Sequence, residues 1–229
     1  MGASDKAPDT KGDIDYHGCF DKLEELKENE KLDIHFDILK SCSVDKLRTH
    51  LAQRSTPPDI VHFMCHGEEN AIRLETGENR VKELVSADSL IPWLRGVKLV
   101  IFCCCYGGTV AEKLVDDSRL AIAIRNDADS NEDQLLLDKE STHFSKNFYS
   151  FLADLHYKMD VDVLAEAVRL ANQQYRRGLR LNDRNAVEDC YLNFVLYKVR
   201  FYMFRLLCAT LNLTVSTQKP AAPSSSSSH

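Results

Sequence analysis

Four stretches of the chain carry apolar and β-branched residues in the short runs that strands prefer. Residues 32–39 alternate apolar and polar positions, 59–65 and 97–104 are nearly continuous apolar runs, and 120–124 is a fourth. Alternation marks one buried face, whereas an unbroken run marks burial on both, as in a parallel sheet covered by helices. Helical spacing lies between and after these runs. Residues 44–54, a short segment at 87–90 that Ser86 would cap, and 109–115 are predicted helices. Phe144, Phe148, Phe151, Leu152 and Leu155 fall three and four apart, and Leu164, Val168, Ala171 and Tyr175 repeat that spacing before Gly178, a predicted helix stop. Residues 191–197 read as a late strand, and the segment from there to Leu213 fits helix or strand equally. Gly77 marks a small hairpin. Strands alternating with helices in this way predict an α/β fold with a mostly parallel sheet.

The pattern stops at both ends. Residues 1–12 are small, charged and proline-containing, and the chain closes on Lys-Pro-Ala-Ala-Pro followed by five serines and a histidine. Such segments hold too few apolar groups to fold, so the expected organisation is a flexible tail at 1–12, one folded unit at 13–213 and a disordered tail at 214–229. No internal repeat divides the unit. With 229 residues, 44% of them hydrophobic, one ordinary core is expected. The balance of 29 basic against 35 acidic residues, net −6, argues against nucleic acid or an anionic membrane as the partner. The opening segment lacks the apolar core of a secretory signal, and Lys6 stands where a myristoylation signal needs Ser or Thr. No stretch is apolar enough to span a bilayer. Eight cysteines, three of them consecutive as Cys103, Cys104 and Cys105, fit neither a disulfide framework nor a zinc ribbon. A reducing, cytoplasmic setting is expected.

Two predicted strands end alike. One runs into His66-Gly67 and the other into Cys105-Tyr106-Gly107-Gly108, each presenting a reactive side chain followed by glycine. The C-terminal strand ends of a parallel sheet share one edge, where open α/β folds place their chemistry. A thiol is mostly protonated at neutral pH, and only the thiolate is a strong nucleophile. The dipole of a helix starting near Thr109 favours that anion, and His66 is suited to serve as its base or cationic partner. Backbone N–H groups freed by Gly67 and Gly107 can turn toward a developing oxyanion. Acyl transfer fits this constellation. The bland alternative is that cysteines ending a strand are small buried hydrophobes. Alternation puts Cys103 on the face of Cys105 and turns Cys104 to the other, and His62 and Cys65 read as packing. A tyrosine-phosphatase loop would need arginine where Thr109, Val110 and Ala111 stand, and no phosphate-binding glycine loop is present. Zinc held by His66 and two of the three cysteines is disfavoured, because successive strand residues point apart.

The ordered set Pro58-Asp59-Ile60-Val61-His62-Phe63 into His66-Gly67, Ser86-Ala87-Asp88, and Leu99-Val100-Ile101-Phe102 into Cys105-Tyr106-Gly107-Gly108 resembles the CHAT domains. These are caspase-like cysteine peptidases of the clan that holds separase, legumain and gingipain. The similarity covers about residues 13–199 and continues through Val163-Leu164-Ala165-Glu166-Ala167 and Asn193-Phe194-Val195-Leu196-Tyr197. It implies a caspase-like three-layer α/β sandwich with a mostly parallel central sheet. It further implies His66 as base, Cys105 as nucleophile, the N–H groups of Gly67 and Cys105 as the oxyanion hole, and no metal or other cofactor. Substrates would be proteins or peptides, and a regulatory or activating protein is expected. The choice of Cys105 over Cys103 and Cys104 depends on the trailing Tyr-Gly-Gly. The sequence departs from the family in two places: the clear apolar first strand is missing before Asp13, and residues 125–129 replace a Leu-Trp-x-Val signature. Flanking loops shape the substrate pocket in this clan, so Asp127 and Asp129 would select a basic side chain and Arg125 an acidic one. The same charges also fit a plain solvated loop. These departures keep open a rival expectation, an inactive caspase-like module that works by protein–protein interaction.

Overall fold

The computed structural model describes residues 17–29, 35–40, 42–76, 81–116, 118–124, 138–155, 159–182 and 194–198. In chain order its elements are α1 (His17–Glu28), α2 (Val44–Ala52), β1 (Ile60–Met64), β2 (His66–Glu68), β3 (Ala71–Thr76), β4 (Val81–Ser86), α3 (Ala87–Trp93), β5 (Leu99–Cys103), α4 (Gly107–Leu114), β6 (Leu120–Ile124), α5 (Asp138–Asp154), α6 (Val161–Asn182) and β7 (Phe194–Tyr197). The expected boundaries after residue 12 and after residue 213 lie outside the described residues.

The three apolar runs become β1, β5 and β6 of a four-stranded sheet ordered β1-β5-β6-β7, with β1 at one edge. Strands β1, β5 and β6 are parallel, with Ile60 opposite Leu99 and Leu99 opposite Leu120, and β7 returns antiparallel along β6. Every residue of β5 is buried, which is why its sequence shows no alternation. Its odd and even positions feed two separate cores. Leu99, Ile101 and Cys103 pack with Ile122 and Ile124 under α1, α5 and α6. Val100, Phe102 and Cys104 pack on the other face with Phe63, Leu90, Val110 and Leu114. The molecule is thus a mixed α/β structure, its mostly parallel sheet flanked by helices. At the far edge, Phe144 stacks on Phe194 with centroids 3.7 Å apart. The Asn172 side-chain amide donates to the Phe194 carbonyl (2.7 Å) and accepts from its N–H (3.3 Å), covering a sheet edge with a helix.

Several expected boundaries hold. Ser86 caps α3 by accepting from the Ser89 N–H at 3.2 Å, and Ser43 caps α2 in the same way through Lys46. The strands flanking Gly77 pair antiparallel from Ala71 opposite Ser86 to Thr76 opposite Val81. Other expectations fail for identifiable reasons. Of the strand expected over residues 32–39, residues 35–39 form none, and 32–34 lie outside the described residues. Phe36 instead packs edge-on against Phe20 at 5.5 Å, and Asp37 pairs with Arg54, so side chains rather than a ladder satisfy the alternating pattern. Gly178 does not stop α6, which runs to Asn182; glycine inside a helix costs only about 1 kcal/mol and ends nothing by itself. Helix α1 was not anticipated, although Cys19, Leu23 and Leu26 carry its spacing and meet the core of α5. Gly18 sits so close to α5 that a Cβ there would lie 2.8 Å from Thr142 Cγ2.

Candidate active site

His66 does not end β1. The chain leaves the main sheet at Cys65 and opens a second, three-stranded antiparallel sheet ordered β2-β3-β4, in which His66 faces Arg73 and Gly67 faces Ile72. Ile72 is fully buried in the core of the α2–α4 side. Strand alternation therefore turns His66 and Arg73 to the opposite face, where both are half-buried. Glu68 pairs with Arg73 on that same face. The imidazole is thus held on a rigid hairpin, with a neutralised cation beside it.

Cys105 stands two residues past the end of β5 and is half-buried, whereas Cys103 and Cys104 are 3% and 2% exposed. The alternation is as anticipated: Cys103 and Cys105 meet the core of α1, α5 and α6, and Cys104 the opposite one. Tyr106 then takes a left-handed conformation (φ 54°), and α4 begins at Gly107, two residues earlier than the spacing indicates. A left-handed non-glycine residue is strained, and here it lets the chain turn from strand into helix straight after the thiol.

Backbone packing brings the two segments together. A Cβ on Gly67 would stand 2.0 Å from the Cys105 carbonyl oxygen and 3.2 Å from Cys104 Cβ. Only glycine allows so close an approach. Thr109 ties the same two segments by hydrogen bonds. The Asn70 N–H, in the β2–β3 turn, donates to Thr109 Oγ1 at 2.8 Å, and that hydroxyl donates to the Tyr106 carbonyl at 2.8 Å. Sequence reading missed Tyr106 and Thr109 in these roles; the one signal was a hydroxyl within the first turn of a helix that follows a cysteine. Arg125, Asp127 and Asp129, the expected pocket residues, lie outside the described residues.

A second histidine–cysteine pair lies deeper. His62 Nε2 is 3.2 Å from Cys103 Sγ and Nδ1 is 3.1 Å from the Tyr149 hydroxyl; Cys103 Sγ is also 3.5 Å from Ser145 Oγ, which donates to the Ser141 carbonyl. Burial pushes the His62 pKa down to about 4 and drives the Cys103 thiol far above the usual range. Burial likewise raises Cys19 to about 11 against the opposing pull of Ser145 and Lys146. Imidazole and thiol are both neutral, so this pair is a hydrogen bond inside the core and holds no nucleophile at neutral pH. The packing role expected for His62 stands, with polar partners that the stripe of phenylalanines concealed: Ser141, Ser145 and Tyr149 are spaced four apart on α5.

A surface hollow of about 280 Å³ lies elsewhere, lined by Arg48, Arg54, Pro57, Trp93 and Arg95 among others. Pro57 and Pro58 precede β1 and Val97 precedes β5, so this hollow is at the opposite end of the strands from Cys105. Among the described residues no three His, Cys, Asp or Glu side chains are grouped to hold a metal ion, and no helix is long and apolar enough to cross a membrane. Compared with known proteins, the chain matches no protein-family model and no curated sequence.

Proposed function

We propose that this chain is a cysteine endopeptidase of the caspase-like CHAT kind, with His66 as base and Cys105 as nucleophile. The observation that carries the reading is the contact of Gly67 with the Cys105 carbonyl, which sets the residue after the histidine against the cysteine itself. His66 takes the Cys105 proton, and the thiolate attacks the carbonyl carbon of a peptide bond. The Gly67 and Cys105 N–H groups receive the oxyanion, where the two segments approach each other. The imidazolium protonates the leaving amine; neutral His66 then takes a proton from water, which hydrolyses the thioester and releases the acid. Exposure separates the three cysteines: Cys105 is the one open to a substrate, and the other two are buried.

The test is peptide-library cleavage together with labelling by a thiol-reactive peptide electrophile. Cys105→Ala should abolish both, and Cys104→Ala should retain both. Retention in the first and loss in the second would overturn the assignment. The cleavage profile also reads the pocket: a basic residue before the cut assigns Asp127 and Asp129, an acidic one Arg125. One observation favours a rival reading, an inactive module completed by a partner. Among the described residues β1 pairs only with β5, and residues 35–39 add no strand to its outer edge. Under that reading no peptide is cut even with the partner bound, and Cys105→Ala has no cellular effect.

A further inference from the structure

The alternation that sends Cys105 into one core sends Cys104 into the other, where it meets a second thiol. Val61 and Val100, then Phe63 and Phe102, are register partners of β1 and β5 on that face, the two phenylalanine rings stacked 5.4 Å apart. The last paired position is Met64 with Cys103. One step further, just past the paired residues, stand Cys65 and Cys104, both packed in the core of the α2–α4 side, where the Cys65 thiol acts electrostatically on Cys104. Paired strands are about 4.8 Å apart, so the residues that follow the last pair, Met64 and Cys103, leave from within the Cα separation of about 4.4–6.8 Å that a disulfide spans. Both cysteines are free thiols; Cys65 is half-buried and Cys104 is covered.

We propose that Cys65 and Cys104 form a redox modification site that closes to an intramolecular disulfide with hydrogen peroxide as oxidant. The Cys65 sulfur, the more accessible, attacks one peroxide oxygen: the O–O bond breaks, water leaves and a sulfenic acid remains. The Cys104 sulfur attacks Cys65 sulfur: an S–S bond forms, the S–O bond breaks, and a second water leaves with the Cys104 proton. Two thiols give up two electrons and one peroxide becomes two waters. Cys42 packs against the same core and interacts electrostatically with Cys65, but it precedes α2, whereas Cys65 and Cys104 each directly follow a paired strand end, so the register favours Cys104.

The site also controls Cys105, a consequence that rests on the dyad reading above. The bond requires the Cβ atoms to close from about the strand spacing to about 3.8 Å. Cys104 Cβ already limits the space at Gly67, so its movement shifts the segment that carries His66 against Cys105.

The full chain is treated with hydrogen peroxide, mapped by mass spectrometry, and its intact-mass species are followed during labelling at Cys105. The expected product is two hydrogens lighter, carries a Cys65–Cys104 link, and reverts with dithiothreitol. Displacing the strand ends should slow its labelling at Cys105 by about tenfold or more relative to reduced molecules in the same sample. A link from Cys65 to Cys42, or no link at all, overturns the site. A correct link with unchanged labelling overturns its control of Cys105. If reduced molecules also fail to label, the dyad reading fails while the disulfide stands. Cys42→Ser should leave the link intact, which separates the two pairings.

Discussion

Gly67 carries a hydrogen where any other residue would place a carbon 2.0 Å from a backbone oxygen. A carbonyl in a tight strand-to-helix turn cannot swing away as a flexible side chain would. Gly67→Ala should therefore destabilise the protein by about 1–3 kcal/mol, and a displacement of His66 from Cys105 should cut the rate of Cys105 labelling by about a hundredfold. Urea unfolding and labelling kinetics measure the two effects; a wild-type labelling rate in a stably folded alanine variant would show that the close approach has no bearing on the thiol. The glycines after His66 and Cys105 made these positions legible in the sequence. Their mutual placement was not, because the contacts that fix it join residues far apart in the chain. Thr109 and Asn70 are 39 positions apart, and His62 is 41 from Cys103 and 87 from Tyr149. Periodicity tells which face a residue occupies, not which residue it meets there.

Between elements, the Thr109 hydroxyl is the joint that fastens the hairpin of β2 and β3 to the start of α4. Thr109→Val keeps the shape but removes both hydrogen bonds, leaving the Asn70 N–H and the Tyr106 carbonyl each one partner short. The expected loss is about 1–3 kcal/mol of stability, with a fall in Cys105 reactivity, and Thr109→Ser should restore most of both. A valine variant that matches the serine variant in unfolding and labelling would remove the joint from the account. The parallel strands and α5 were readable in sequence because each presents an unbroken or evenly spaced apolar run. The β2–β3 hairpin was not. Its first strand is His-Gly-Glu, with no apolar side chain at all, and forms because Ile72 and Leu74 of the next strand bury themselves in the core and carry it along. Residues 35–39 show the converse, a strand-like alternation used up by contacts to α1 and to Arg54 just past α2.

At the scale of the whole molecule, His62 joins β1 to β5 through Cys103 and to α5 through Tyr149, so its protonation bears on the sheet and the outer helices at once. Burial holds its pKa near 4, against about 6.5 for an ordinary histidine. Between those two pH values the unfolded chain binds a proton that the folded chain refuses. Stability contributed by the neutral imidazole is therefore complete above about pH 6.5, falls as pH drops toward 4, and levels off below, a loss of roughly 2 kcal/mol by pH 5. Urea midpoints at pH 7 and pH 5 measure the fall. Replacing the imidazole by a side chain that cannot titrate, His62→Gln, should lower stability at pH 7 by removing a fitted hydrogen-bonded ring, yet flatten the drop between the two pH values by about that amount. An equally steep drop in the glutamine variant would mean that carboxylates elsewhere carry the acid sensitivity. Cys105 labelling at pH 7 adds a further discrimination: the glutamine variant should retain it while folded, since the neutral His62–Cys103 pair supplies packing between layers and His66 is the imidazole assigned to the thiol.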